Sequence, residues 1–91
     1  MPGPQAAVSI ESNAFRPAIL TVSAGTTVAW TNQAADPHSV VGLGWQSSVL
    51  NTGQVWSRQF NELGEFEYHC GQHPNMLGKV IVAPSTASTS P

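Results

Sequence analysis

Cys70, His73 and Met76 stand at three-residue intervals in the stretch "YHCGQHPNMLGKV", and Cys70 is the only cysteine of the chain. A thiolate, an imidazole and a thioether aimed at one point are metal donors, and Gly71, Pro74 and Asn75 are residues that let a chain turn between them. A fourth donor lies upstream. His38, in "DPHSVV", opens a β-rich run and follows a proline that restricts its approach. Two imidazoles, one thiolate and one weak thioether form the donor set of a blue-copper electron-transfer site, a trigonal His/His/Cys plane with a long axial methionine. Sulfur donors favour Cu(I) and imidazole suits both oxidation states, so His38, Cys70, His73 and Met76 are expected to hold one copper ion through a one-electron cycle. The set leaves no open equatorial position for a substrate. An electron shuttle is therefore expected, with no catalytic residues and no enzyme activity.

Each residue has a blander reading when taken singly. Cys70 alone reads as a small core hydrophobe, Met76 as a gap filler and His38 as a loop histidine bound to backbone. Cys-x-x-His is a weak motif by itself, and only the full set placed in one all-β chain is specific. Rival chemistries fit less well. A binuclear copper centre needs two bridging cysteines, and the chain has one. A cysteine nucleophile needs an open approach and a general base in a cleft, whereas Cys70 ends a core strand. Structural zinc takes a full set of Cys, His or carboxylate donors, and methionine is a poor fourth. A copper-binding module for storage, delivery or sensing would use the same donors, and it stays open as the alternative to a carrier.

The elements that must position these donors are short and extended. The 91 residues suit a single domain that buries roughly 60 to 65% of its unfolded surface. Turn signals separate "AVSIES", "AILTV", "TTVAWTN", "HSVVG", "QVWSRQF", "GEFEYHC" and "GKVIV", with a Gly/Ser/Asn-rich middle from Gly42 to Gly53. Runs at this spacing, with no window of helical period, predict an all-β sandwich and little helix. Alternation in "GEFEYHC" sets Phe66, Tyr68 and Cys70 on one face and Glu65, Glu67 and His69 on the other. Carboxylates stay in water, so Cys70 points inward and His69 is not a ligand. In "TTVAWTN", Val28 and Trp30 form a second core face by the same rule.

Composition limits the partners. Charged residues make up 9% of the chain and the net charge is -2, with Arg16, Arg58 and Lys79 the only Lys and Arg residues. No phosphate-tracking surface can be built from three dispersed cations, so neither nucleic acid nor acidic lipid is expected as a partner. No run is long enough for a membrane span. The ends are low in complexity. Residues 1–7 are expected to be a flexible segment, residues 8–83 the folded domain, and residues 84–91, "PSTASTSP" with its leading proline at Pro84, a Ser/Thr/Pro-rich tail.

From about Val8 to Val82 the chain resembles the cupredoxins, the small blue-copper proteins that include plastocyanin and amicyanin. "FRPAILTVSAGTTVAWTN" is similar to the family's early strands, "PHSV" to its first ligand segment, and "GEFEYHCGQHPNMLGKVIV" to its ligand loop and last strand. Two residues separate His73 from Met76, the short loop of the amicyanin type. The resemblance implies a Greek-key cupredoxin β-sandwich of about eight strands with copper at one end, and it carries over His38, Cys70, His73 and Met76 as ligands. It also implies an extracytoplasmic protein, periplasmic or at the cell surface, whose leader has been removed. His73 is implied as the exposed ligand through which electrons leave. Redox partner proteins are expected to dock weakly on an apolar rim of Pro37, Pro74 and Leu77, with Leu43 and Trp45 as further candidates, and a monomer is expected. Where these relatives have proline two residues after the cysteine, this chain has Gln72. Its retained backbone N–H is expected to add a second hydrogen bond to the thiolate, beside that from Ser39, and to raise the reduction potential.

Overall fold

A computed structural model describes residues 4–84. Nine strands follow one another: β1 (Gln5–Ile10), β2 (Phe15–Arg16), β3 (Ile19–Ser23), β4 (Thr26–Asn32), β5 (Val40–Gly42), β6 (Trp45–Gln46), β7 (Val55–Phe60), β8 (Gly64–Cys70) and β9 (Leu77–Ala83). They form a four-stranded sheet, β2-β1-β4-β7, and a five-stranded sheet, β3-β9-β8-β5-β6. β1 runs parallel to β4 and β3 runs parallel to β9, while the other pairs are antiparallel. The expected sandwich is present. No helix occurs among the described residues, so none is long and apolar enough to cross a membrane.

Strict alternation builds both inner faces. Every second residue of β4, from Thr26 to Asn32, is buried, and β8 buries Tyr68 and Cys70 while Glu65 and Glu67 stay exposed. Trp30 lies at the centre of the core, with its ring centroid 5.4 Å from those of Trp56 and Tyr68 and 6.1 Å from those of Trp45 and Phe60. Aromatic pairs at these separations add about 0.5 to 1.5 kcal/mol each beyond the area they bury.

The five-stranded sheet makes room for its tyrosine by alternating large and small residues across the strands. Tyr68 pairs with Gly78 on one side and Gly42 on the other, and Gly42 pairs in turn with Trp45. A Cβ on Gly78 would stand 2.3 Å from the Tyr68 ring, and one on Gly42 would stand 2.1 Å from the Trp45 ring. Both glycines are therefore required by close approach.

Three boundaries differ from the sequence expectation. Residues Gln5 to Ala7, expected in a flexible N-terminal segment, belong to β1 and pair with Thr27 to Ala29, and the Thr27 N–H donates to the Pro4 carbonyl at 2.9 Å. A neighbouring strand supplies their hydrogen bonds, so weak local propensity is no obstacle. The middle segment, expected as loop, contains β6, which turns back on β5 through Leu43 and Gly44, the latter at φ +83°. The two-residue β2 pairs Ser9 with Arg16 and Ile10 with Phe15. Of the tail expected over residues 84–91, all beyond Pro84 lies outside the described residues.

Candidate metal centre

His38 is held by backbone before its side chain does anything. It forms an isolated bridge with Leu50, the His38 N–H donating to the Leu50 carbonyl at 3.1 Å and the Leu50 N–H to the His38 carbonyl at 2.7 Å. Asn32, at the end of β4 and fully buried, ties this bridge to the preceding loop. Its Nδ2 donates to the carbonyls of Asp36 and Leu50, both at 2.9 Å, and its Oδ1 accepts from the Ala34 N–H at 2.8 Å. All of the carboxamide's strong hydrogen-bonding directions but one are used. The His38 imidazole is thereby fixed in the interior with 0% exposure.

The other donors come from one tight loop. Cys70 closes β8 opposite Val40, and its N–H donates to the Met76 carbonyl at 3.0 Å. Within the loop the His73 N–H donates to the Cys70 carbonyl at 3.3 Å and the Met76 N–H to the His73 carbonyl at 2.9 Å. Residues 70 to 76 thus turn back on themselves before β9 begins. Cys70 and Met76 are buried, and His73 is exposed.

The two segments converge. His38 Nδ1 lies 3.2 Å from Cys70 Sγ and His73 Nδ1 lies 3.7 Å from it, and a ligand atom from each residue falls within 4.8 Å of the others. Bonds of about 2.0 Å to nitrogen and about 2.3 Å to sulfur would set trigonal donors roughly 3.5 to 3.7 Å apart. His73 Nδ1 already stands at such a distance from the sulfur and His38 Nδ1 about 0.5 Å closer, while the set as a whole spreads to 4.8 Å, so the donors are gathered and an ion would draw the widest pair together by about 1 Å. Three polar atoms facing one another in this way, two of them on buried side chains, fit a thiophilic ion with imidazole affinity.

Burial holds the His38 imidazolium pKa below its ordinary 6.5, the charge of His73 lowers it further, and Asp36 works in the opposite direction. A metal ligand must be a neutral imidazole, so this shift keeps the lone pair available. His38 Nε2 is buried without a protein partner.

Several residues that shape the site had no readable signal. Asn32 reads in sequence as a turn marker, and its function depends on Leu50, 18 positions away. Ser39 and Gly71 form the contact between the two donor segments, since a Cβ on Gly71 would lie 2.4 Å from Ser39 Oγ. Gln72 meets the sulfur through its carboxamide and not through its backbone N–H. Oε1 lies 3.7 Å from Cys70 Sγ and accepts from Ser39 Oγ at 3.0 Å. Among the described residues no backbone N–H, of Ser39 or of Gln72, is hydrogen-bonded to Sγ. Trp45, weighed as a rim residue, stacks on Trp56 at 6.0 Å under the Arg58 guanidinium. Its packing is that of the aromatic core. Pro37, Pro74 and Leu77 are exposed, as is Leu43 at the tip of its hairpin.

A two-sheet sandwich with a His/Cys/His cluster at one end defines a class, the mononuclear copper-binding β-sandwich. Comparison with known proteins is consistent with it. The Cupredoxin-like domain family matches residues 2–82. The amicyanin of Paracoccus versutus is 34% identical over 89 residues, covering 90% of this chain and 67% of the relative. Amicyanin-alpha of Methylorubrum extorquens is 38% identical over 82 residues, covering 82% and 69%. Among solved structures, a purple cupredoxin from Nitrosopumilus maritimus superposes with a TM-score of 0.82 at 30% identity, covering 86% of this chain and 99% of that one. The chain belongs to the cupredoxin-like domain family and is a plastocyanin/amicyanin-like cupredoxin.

Proposed function

We propose that this protein is a small blue-copper electron carrier, with one copper ion held by His38, Cys70 and His73 and, more weakly, by Met76. The observation that carries the proposal is the convergence of a ring nitrogen from each of two imidazoles and one sulfur within 4.8 Å, with the two Nδ1 atoms 3.2 and 3.7 Å from that sulfur. Copper in such a set supplies a one-electron Cu(I)/Cu(II) couple. The chain's own part is to fix the donors. Asn32 and Leu50 set His38, the closed loop sets Cys70 and His73, and burial of three of the four residues excludes water.

His73 is the exposed member of the set, so its ring is where a partner protein comes nearest to the site. Pro37, Pro74 and Leu77 supply an apolar surround, which suits the small, weak interfaces of redox encounters. The low charge of the chain makes electrostatic steering modest. The proposal includes a monomer located outside the cytoplasm, supported by family membership.

The test is addition of Cu(II) to metal-free protein, followed by reaction of the loaded form with an outer-sphere redox partner. One equivalent of copper, an intense visible thiolate-to-copper band and rapid reversible electron exchange are expected. Copper that leaves for an acceptor protein under reducing conditions, without such exchange, would replace the carrier by a delivery module.

A further inference from the structure

Three polar atoms lie within hydrogen-bonding reach of Cys70 Sγ among the described residues: Nδ1 of His38, Nδ1 of His73 and Oε1 of Gln72. The first two belong to the donor set. The third belongs to a side chain that the proposed function leaves without a part.

The Gln72 carboxamide is clamped from the far side. Ser39, buried at the entry to β5, donates from Oγ to Gln72 Oε1 at 3.0 Å, and the absence of a side chain at Gly71 lets the two segments come this close. In this arrangement the Cys70 thiol and the Ser39 hydroxyl both donate to one amide oxygen. Metal binding takes the proton from sulfur, and a thiolate can only accept. Oε1 would then face a negative sulfur with no hydrogen between them. A half-turn of the last side-chain torsion, which is broad and two-fold for glutamine, relieves this. Nε2 takes the place of Oε1, one of its hydrogens going to Sγ and the other to Ser39 Oγ. Serine serves equally as donor or acceptor, so nothing else has to move.

We propose that Gln72 is a positioning residue of the metal centre, whose carboxamide, held by Ser39, donates an N–H to the Cys70 thiolate and weakens its donation to copper. The inference rests on the reading of Cys70 as a copper ligand. A donor on sulfur withdraws electron density and so favours the electron-rich reduced state. Outer-shell partners of metal ligands typically matter by tenfold or more, and about tenfold in the Cu(I)/Cu(II) equilibrium corresponds to about 59 mV for one electron.

The experiment compares copper-loaded wild type with Gln72→Met, which keeps the side-chain length and lacks the N–H, and with Ser39→Ala, which removes the clamp. Gln72→Met is expected to favour Cu(II) about tenfold more than wild type and to move the thiolate-to-copper band to lower energy. Ser39→Ala is expected to shift both in the same direction by less. In the Cu(I) form of wild type, nitrogen-15 NMR should show one Gln72 side-chain proton protected from exchange. Gln72→Met with unchanged potential and band, or a Gln72 amide exchanging as fast as that of an exposed glutamine, would overturn the proposal. A wild type that takes up Cu(II) with no intense visible band would instead overturn the donor-set reading beneath it.

Discussion

Replacing Asn32 tests whether the first histidine is held by a buried carboxamide. In Asn32→Ala the Ala34 N–H, in a buried contact, loses its 2.8 Å acceptor, and the Asp36 and Leu50 carbonyls each lose a donor at 2.9 Å. The three losses are unequal. Leu50 keeps the His38 N–H, and Asp36 is exposed enough to regain water, so those two cost little. The unsatisfied buried Ala34 donor costs about 1 to 3 kcal/mol and the two carbonyls that find other partners add about 1 kcal/mol between them, which makes the total about 2 to 4 kcal/mol. Asn32→Asp refines the test. It keeps the acceptor for Ala34 but turns a carboxylate toward two carbonyls, so its deficit relative to wild type should shrink as the acid is protonated. Urea unfolding of metal-free protein, followed by the fluorescence of the Trp30, Trp45 and Trp56 cluster, reads both. Copper affinity should fall in parallel, since the His38 imidazole is no longer fixed. If Asn32→Ala unfolds at the wild-type midpoint and binds copper as tightly, Asn32 does not hold the histidine segment and the reasoning fails.

The pH dependence of metal-free protein follows from His38. Its imidazolium pKa is lowered by burial, so the unfolded chain binds the proton more readily; stability is present above the ordinary value of 6.5 and is lost as pH falls through it. Urea midpoints measured from pH 8 to pH 5 should decline, and they should decline less in His38→Gln. Cys70→Ser should abolish the intense visible band on Cu(II) addition, whereas His69→Ala, on the outer face of β8, should leave it intact; spectra of the two variants decide this. Gly78→Ala places a Cβ against the Tyr68 ring, and the displacement should cost about 1 to 3 kcal/mol by thermal denaturation. Removing copper from loaded protein should lower its melting temperature, since the ion binds the folded donor set far better than the unfolded chain, and calorimetry with and without chelator measures the difference.

The fold was largely legible because its signals are local. Alternation in β4 and β8 assigned their inner faces, including the inward Cys70 and the outward His69, from side-chain period and charge alone. The donor types were legible too, because thiolate, imidazole and thioether are rare together and chemically distinctive. Where a strand owes its existence to a partner, the reading was blind. Gln5 to Ala7 have little to recommend them as strand until Thr27 to Ala29 lie alongside, and Trp45 and Gln46 become β6 only by pairing with Gly42 and Val41.

What the amino-acid sequence determined by itself, then, is the pattern of inward and outward side chains and the inventory of donor atoms, both properties of residues and their immediate neighbours. Tertiary structure alone decided the contacts between distant segments. His38 and Cys70 meet across 32 positions, Ser39 and Gln72 across 33, and Asn32 and Leu50 across 18. The physical reason is that a hydrogen bond or a donor–donor distance has a sharp geometric requirement, while strand propensity and alternation constrain only the direction in which a side chain leaves its own backbone. The route by which Gln72 reaches the sulfur, through its carboxamide and not its backbone, is of that kind.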